Sequence, residues 1–185
     1  SVVAHSGEAS VVVADNGSND DSVPFLREHY PQVELLQLDQ NYGFAEGYNR
    51  ALSRIEADCY VLLNSDVEVE EGWLNPLVTR LAADEKVAAL APKIISYERQ
   101  SDFEYAGAAG GFIDCFGYPF CRGRILDTIE KDQGQYDTAR EVFWASGACM
   151  VVRADLFHKL GEASGPSFGR TQYVGVREST AVNYH

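Results

Sequence analysis

The residues with most chemistry to offer sit just beyond an apolar run. Asn64-Ser65-Asp66 follows Tyr60-Val61-Leu62-Leu63. An amide and a carboxylate therefore stand two residues apart at the end of a stretch that reads as a strand buried on both faces. Protein oxygens together with substrate phosphates are the ordinary way to bind Mg²⁺, so Asn64 and Asp66 could share one divalent cation that also holds a diphosphate. Taken alone, the stretch fits an ordinary turn equally well, because Asn, Ser and Asp are all good turn formers. Two further stretches repeat the design. Residues 9–14 carry the β-branched run Val11-Val12-Val13 and stop on Asp15-Asn16-Gly17, a carboxylate followed by a turn signal. Residues 33–38 read as a strand that runs into Asp39-Gln40-Asn41-Tyr42-Gly43, where a glycine lets backbone approach a ligand closely. Each alone is a plain connection. Together they deliver Asp15, Asn41 and Asn64 with Asp66 to one sheet edge, and in open α/β sheets ligands bind at the carboxyl ends of the strands.

The elements that must hold these residues follow from periodicity. Residues 1–6 suit the end of a helix broken by Gly7. Ser22 is placed to cap a helix with Pro24 in its first turn, ending before Pro31. Phe44, Tyr48, Ala51, Leu52 and Ile55 lie on one face of a helix. A further helix is expected over residues 73–83, with Trp73, Leu74, Leu77, Val78 and Leu81 facing the core, then a strand over residues 87–91 closed by Pro92. Four strands alternating with helices predict an α/β domain, a mostly parallel sheet flanked by helices. Residues 1–92 form the nucleotide-binding half on this reading.

From residue 93 the character changes. Residues 97–124 hold many glycines and aromatics, among them Gly110, Gly111, Phe112, Phe116, Tyr118 and Phe120. They predict loops and short antiparallel strands, an insertion that could serve as a lid or acceptor wall. Residues 126–141 are polar and acidic and suit a surface. Trp144, Ser146 and Gly147 then precede a buried strand at residues 149–152, with a short helix from about Arg153 to Leu160. Backbone at Ser146 and Gly147 could lie against a sugar, and packing explains the small residues equally well. Residues 93–161 form the acceptor-side half, and residues 162–185 a tail.

Composition bounds the function. The 185 residues suffice for one domain with a real core, and 45% hydrophobic with 23% charged residues is ordinary for a globular protein. The net charge of −13 argues against nucleic acid as a partner, which needs a basic patch. An acidic protein that binds a nucleoside diphosphate needs a metal to bridge like charges. Cys59, Cys115, Cys121 and Cys149 form no C-x-x-C pair and suit reduced packing residues of a cytosolic protein, with a Cys115–Cys121 bridge as the less favoured alternative. No apolar run reaches the roughly 20 residues that span a bilayer. Gly43 and Gly47 do not make the G-x-G-x-x-G dinucleotide fingerprint, and no G-x-x-x-x-G-K-[ST] loop is present.

Four motifs now stand in order: Val13-Ala14-Asp15-Asn16-Gly17-Ser18, Asn41-Tyr42-Gly43-Phe44-Ala45-Glu46-Gly47-Tyr48-Asn49, Leu63-Asn64-Ser65-Asp66 and Ser146-Gly147-Ala148-Cys149-Met150-Val151-Val152-Arg153. As a set they resemble family-2 glycosyltransferases of the GT-A fold, in the bacterial rhamnosyltransferase-like branch that builds surface polysaccharides, over about residues 8–161. The resemblance implies metal-dependent transfer of a sugar, with inversion, from a UDP- or dTDP-linked donor to a saccharide or polyprenyl-linked acceptor. It implies nucleotide contacts at Asp15, Asn16, Asn41, Gly43 and Asn49, and Mg²⁺ or Mn²⁺ at Asp66 with Asn64, where the family has D-x-D. It implies donor-sugar or acceptor contacts at Trp144, Ser146 and Gly147, and a place at the cytoplasmic face of the membrane, held peripherally. Asn64 keeps an oxygen but loses a charge, so weaker metal binding is expected than with two carboxylates.

The family pattern carries another strand ahead of Glu8 and an acidic motif with the general base, which an inverting transfer needs to take the acceptor proton. Glu162 has no such motif around it, and Tyr173 and Arg177 faintly resemble a Tyr-x-x-x-Arg helix found further along. The expectation is that the sequence lacks pieces of the natural enzyme, at its start and near residue 162. A non-catalytic nucleotide-sugar-binding remnant or assembly partner is the alternative. A nucleotidyltransferase would show a Gly-rich first loop bearing Lys or Arg, which is absent.

Overall fold

The computed structural model describes residues 1–105 and 108–160 and, as backbone, residues 171–174 and 179–184. The first half lays down α1 (Val2–His5), β1 (Val12–Asp15), α2 (Ser22–His29), β2 (Glu34–Gln37), α3 (Phe44–Leu52), β3 (Cys59–Asn64), β4 (Val67–Leu74), α4 (Asn75–Ala83) and β5 (Ala89–Leu90). The short strands β6 (Gly111–Ile113), β7 (Pro119–Cys121), β8 (Arg124–Ile125) and β9 (Thr128–Ile129) follow. Then come β10 (Cys149–Arg153), α5 (Ala154–Lys159), β11 (Thr171–Val174) and β12 (Ser179–Tyr184).

The main sheet has six strands in the order β2-β1-β11-β3-β10-β5. Its centre is β3, whose residues from Cys59 to Leu63 are all buried. Side chains of a strand alternate between faces, and β3 uses both. Cys59, Val61 and Leu63 pack with Trp73, Val78 and Leu81 from β4 and α4. Tyr60 and Leu62 pack with Tyr48, Ala51 and Leu52 of α3 and Phe157 of α5. The layers are therefore α3 and α5 on one face and α4 with β4 on the other, which is why the run from Cys59 to Leu63 is apolar throughout rather than alternating.

The expected parallel sheet is met in strand direction and not in pairing. β1, β2, β3 and β5 all run the same way, but only β1 and β2 are direct parallel neighbours. β11 lies antiparallel between β1 and β3, and β10 antiparallel between β3 and β5. Strand–helix alternation through residue 91 carries no mark of the later strands that return between the earlier ones.

Three other expectations need correction. Residues 67–74 are strand, so Trp73 and Leu74 end β4 rather than begin a helix. Val67, Val69 and Trp73 are buried at even spacing, the period of a strand, and α4 starts only at Asn75, with Pro76 in its first turn. Thr171–Val174 is also a strand rather than the start of a helix, in keeping with its β-branched and aromatic residues; residues 161–170, with Glu162, and residues 175–178 lie outside the described residues. At α2 the cap position falls to Asp21, and Ser22 is the first helical residue.

Two side chains tie the layers together. Arg153, at the end of β10, reaches the carboxyl end of α4, donating from Nε to the Val87 carbonyl at 2.8 Å and from Nη2 to that of Asp84 at 3.0 Å and to that of Leu81. A cation on the last carbonyls of a helix is favourable electrostatically. Tyr60 donates its hydroxyl to the Ile55 carbonyl at 2.8 Å and lies 2.9 Å from His158 Nε2, joining β3 to α5.

The expected Gly- and aromatic-rich insertion is an antiparallel sheet, β6-β7-β8-β9, with its own core of Phe103, Ala108, Ala109 and Cys121. Cys59, Cys121 and Cys149 are buried thiols, whereas Cys115 is exposed and is not the packing residue expected. Among the described residues no helix is long and apolar enough to cross a membrane.

Candidate functional site

The loops at the carboxyl ends of β1, β2 and β3 are joined by a chain of contacts. Asp15 ends β1 with its side chain 3% exposed, and its Oδ1 accepts from the Ser18 backbone N–H at 3.2 Å. Its carbonyl accepts from the Leu38 N–H at 2.8 Å, which holds the end of β2 beside it. Asn16 is 1% exposed and works entirely inward. Its Nδ2 donates to the Gly43 carbonyl at 2.8 Å and to Asn41 Oδ1 at 3.3 Å, while its Oδ1 accepts from the Tyr42 N–H at 3.0 Å. Asn41 Oδ1 accepts in turn from the Gly43 N–H at 2.8 Å.

Backbone meets backbone at Gly17. A Cβ there would lie 2.4 Å from the Gln40 carbonyl carbon and 2.6 Å from the Asn41 nitrogen, and φ is +74°. Both facts demand glycine. The Asn16-Gly17 dipeptide, visible in the sequence only as a turn, is thus what allows the first two loops to touch. Outside this contact, Tyr42 donates to Asp39 Oδ1 at 2.9 Å, and the Arg50 guanidinium sits 3.9 Å from the Tyr42 ring centre. The Tyr42 hydroxyl holds the Asp39 carboxyl below its usual range.

The next link runs through α3. Gly43 caps the helix at φ +77° and Phe44 opens it. The Phe44 ring reaches Gly147, where a Cβ would come within 3.0 Å of Cζ. One residue on, the Ala148 carbonyl accepts from the Asn64 N–H at 3.0 Å. Ser146 is 8% exposed, and its Oγ accepts from the Ala148 N–H at 3.2 Å. Tyr48, fully buried on α3, donates its hydroxyl to the Leu63 carbonyl at 3.2 Å. Burial pushes its phenol far up, so it stays a neutral donor.

The candidate residues therefore converge, with divided roles. Asp15, Asn16, Asn41, Gly43, Asn64, Ser146 and Gly147 are linked by short contacts along one edge. Asn49 is buried in α3 at 9% exposure. Trp144 belongs to the small sheet: its indole lies flat where a Gly111 side chain would be, and its Nε1 donates to the Phe112 carbonyl at 3.3 Å. Phe44, which fixes the Gly147 loop, was read from the sequence only as a core residue of α3. Its position at the start of the helix, straight after Gly43, was the available signal.

At the end of β3 the Asn64 Oδ1 atom is buried and has no hydrogen-bond partner among the described residues. Such an atom is costly unless something binds it. Asp66 stands two residues on, exposed, in the turn before β4. Among the described residues no three His, Cys, Asp or Glu side chains gather in a cage. An orphaned amide oxygen beside an exposed carboxylate nonetheless suits a hard cation that takes its remaining oxygens from a ligand. Two larger cavities, of about 580 and 510 Å³, lie elsewhere: one runs beside residues 84–90 and 139–142, the other past Glu8, Asp58 and Arg153.

Comparison with known proteins places the chain in a family. Residues 1–161 match the model of glycosyl transferase family 2. The chain is 27% identical over 171 residues to the N-acetylglucosaminyl-diphospho-decaprenol L-rhamnosyltransferase of Mycobacterium tuberculosis, a match spanning 82% of this chain and 54% of that protein. It is 28% identical to polypeptide N-acetylgalactosaminyltransferase 4 of Caenorhabditis elegans, over 82% of this chain and 26% of the relative. The pre-mycofactocin glycosyltransferase of M. tuberculosis is 34% identical over 88 residues, 46% of this chain and 18% of its own length. The chain thus spans about half the length of the mycobacterial rhamnosyltransferase it matches. With the family pattern running from the first residue to the end of α5, the chain belongs to glycosyl transferase family 2.

Proposed function

We propose that this chain carries the donor site of a glycosyltransferase that moves a sugar from a nucleoside diphosphate, UDP or dTDP, to a saccharide or polyprenyl-linked acceptor with inversion. Its similarity to a rhamnosyltransferase named for a diphospho-decaprenol substrate supports a diphosphate-bearing acceptor and a role in bacterial surface polysaccharide synthesis. A lipid-linked acceptor would bring the protein to the membrane peripherally. The GT-A fold comes with the family.

The observation that carries the reading is the orphaned Asn64 Oδ1 beside Asp66 at the end of the central strand. Asn64 and Asp66 would hold Mg²⁺ or Mn²⁺, whose chemistry is to neutralise the departing diphosphate. Asp15, partly engaged by Ser18, keeps a carboxylate oxygen to accept from the base or ribose. Asn16 holds the Asn41–Gly43 loop in place to form the nucleotide's wall, and its Oδ1 keeps a second lone pair. Ser146 and Gly147 present backbone beside Asn64, which suits the donor sugar, and Phe44 fixes their distance. Trp144 closes this side from the small sheet.

The test is calorimetric titration of UDP and dTDP, each with and without Mn²⁺, into the wild type and Asp66→Ala. The expected result is metal-dependent binding of one nucleotide that disappears in the variant. Absence of binding of either nucleotide up to about 1 mM, a free energy of roughly −4 kcal/mol, would overturn the proposal.

A further inference from the structure

One basic cluster takes no part in the site described above. Arg122 follows β7 and is fixed by three hydrogen bonds: its N–H donates to the Gly110 carbonyl at 3.0 Å, its carbonyl accepts from the Ala109 N–H at 3.1 Å, and its Nε donates to the Ala109 carbonyl at 2.8 Å. Among the described residues its terminal nitrogens have no hydrogen-bond partner. Arg140 comes to the same place from the other side of the sequence. The guanidinium carbons of Arg122 and Arg140 lie 5.9 and 5.7 Å from the centre of the same Phe112 ring, within cation–π range. Among the described residues neither has a carboxylate partner. Burial and the neighbouring Arg140 charge together lower the pKa of Arg122.

Both line one cavity of about 490 Å³, bounded by α4, the segment after β5 and the small sheet. Arg80 and Lys93 line it too, against one acid, Asp137. That acid is already bound to Lys93 at 2.6 Å. A chain with 28 acidic and 15 basic residues has carboxylates to spare for its arginines, yet two are held side by side on an aromatic ring without one. Their mutual repulsion is relieved by an anion, and planar guanidinium groups bind phosphate oxygens with paired hydrogen bonds.

The location matters as much as the charge. β5 runs in the same direction as β3, and the cavity starts at Leu90 and residues 91–93, beyond the carboxyl end of β5. It therefore opens on the same sheet edge as Asn64, two strands away. Val142 in its wall leads within five residues to Ser146 and Gly147.

We propose that this cavity is a phosphate-binding subsite in which Arg122 and Arg140 grip the diphosphate of the acceptor. Anion binding stands on the cavity alone; assignment to the acceptor rests on the transferase reading above. A free phosphate or pyrophosphate shares the chemistry, and the experiment separates the two sources.

Inorganic pyrophosphate is titrated calorimetrically into the 185-residue chain in EDTA, so that Asn64 and Asp66 hold no metal. The expected result is binding that weakens about tenfold or more in Arg140→Gln and in Arg122→Gln, is retained in Arg122→Lys to within a few-fold, and is unchanged in Asp66→Ala and in Arg27→Gln on α2. Among the described residues no hydrogen bond ties Arg140 to the backbone, so its variant tests the site even if Arg122→Gln perturbs folding. No pyrophosphate binding, or equal weakening by Arg27→Gln and Arg140→Gln, overturns the subsite. A short-chain prenyl-diphospho-N-acetylglucosamine is then used to displace pyrophosphate, with N-acetylglucosamine as control. Displacement by the first only confirms the acceptor assignment. Failure of the first to displace overturns that assignment and leaves a free anion as the occupant. Loss of UDP and dTDP binding in the separate titration would instead overturn the transferase reading and leave pyrophosphate binding intact.

Discussion

Gly147 and Phe44 are in contact at a distance that leaves no room for a methyl group: a Cβ on Gly147 would stand 3.0 Å from Phe44 Cζ and 3.1 Å from Cε1. The two residues are about a hundred positions apart in the chain, one opening α3 and one leading into β10. Gly147→Ala should therefore push the ring by a few tenths of an ångström, costing about 1–2 kcal/mol of stability and weakening nucleotide-sugar binding more than nucleotide binding. Adding Phe44→Leu should restore much of both, a non-additive pair. Parallel urea titration and calorimetry of the single and double variants check it.

Asn16→Ala removes three hydrogen bonds at once, leaving the Tyr42 N–H without its partner and the Gly43 carbonyl with the Gly47 N–H alone. The expected cost is about 2–3 kcal/mol, read from the urea midpoint. Asn16→Asp should cost at least as much, because a carboxylate would face the Gly43 carbonyl and Asn41 Oδ1, two acceptors.

Gly111→Ala should be among the most damaging single changes in the small sheet. The new Cβ would fall 1.9 Å from Trp144 Cε2. The indole has no easy escape, since Gly111 and Trp144 are bonded through their backbones at 3.1 and 3.3 Å. A loss of about 3 kcal/mol is expected from overpacking, visible as a change in tryptophan fluorescence and a lower melting temperature.

Lys93 bridges two acids, meeting Asp132 and Asp137 at 2.6 Å each. Burial opposes its charge, but the hydrogen bonds to Asp132 and Asp137 outweigh burial and its pKa stands above 10.5. The Lys93 hydrogen bond holds Asp132 below 3.8. A raised lysine contributes stability in full below its unfolded pKa, and the contribution is lost as pH rises through the folded value. A depressed aspartate contributes in full above its unfolded pKa, and the contribution is lost as pH falls through the folded value. The bridge is thus intact from about pH 4 to pH 10. Lys93→Met should lower the melting temperature across that window, and the wild type and the variant should converge at more acid pH. Melting curves at pH 3 and pH 7 decide it.

Much of this was legible in the residues because burial and edge position leave strong marks. A five-residue apolar run bounded by Asn64 announces a central strand; Asp15 and Asn64 each close a strand, and Asn41 lies in the loop that follows one. What was not legible depended on partners distant in the chain. The work of Asn16 was hidden because its three bonds reach residues 41–43. β4 was misread since Trp73 and Leu74 satisfy a helical face as well as a strand's, and Pro76 two residues later was the better marker of where the helix starts. The return of β10 between β3 and β5 depends on long-range pairing that no local pattern encodes. The Arg122–Arg140 pair leaves no local mark because its two members, eighteen residues apart, meet in the fold over the Phe112 ring.

β5 and β10 are adjacent and antiparallel, with Leu90 opposite Val151 and Ala89 opposite Val152. Everything between them, from the basic cavity through the small sheet to Trp144, is in topological terms the connection of a single hairpin. Lengthening such a connection costs little, roughly 0.6 kcal/mol for each doubling, and both of its ends are anchored by the same ladder. The fold thus separates two rates of change: the edge that carries Asp15, Asn41 and Asn64 is locked to the six strands, while the excursion from the basic cavity to Trp144 is an exchangeable cassette. On the transferase reading proposed above, a new acceptor could be accommodated by grafting a different excursion between Leu90 and Trp144, with the strands and residues 146–148 left untouched.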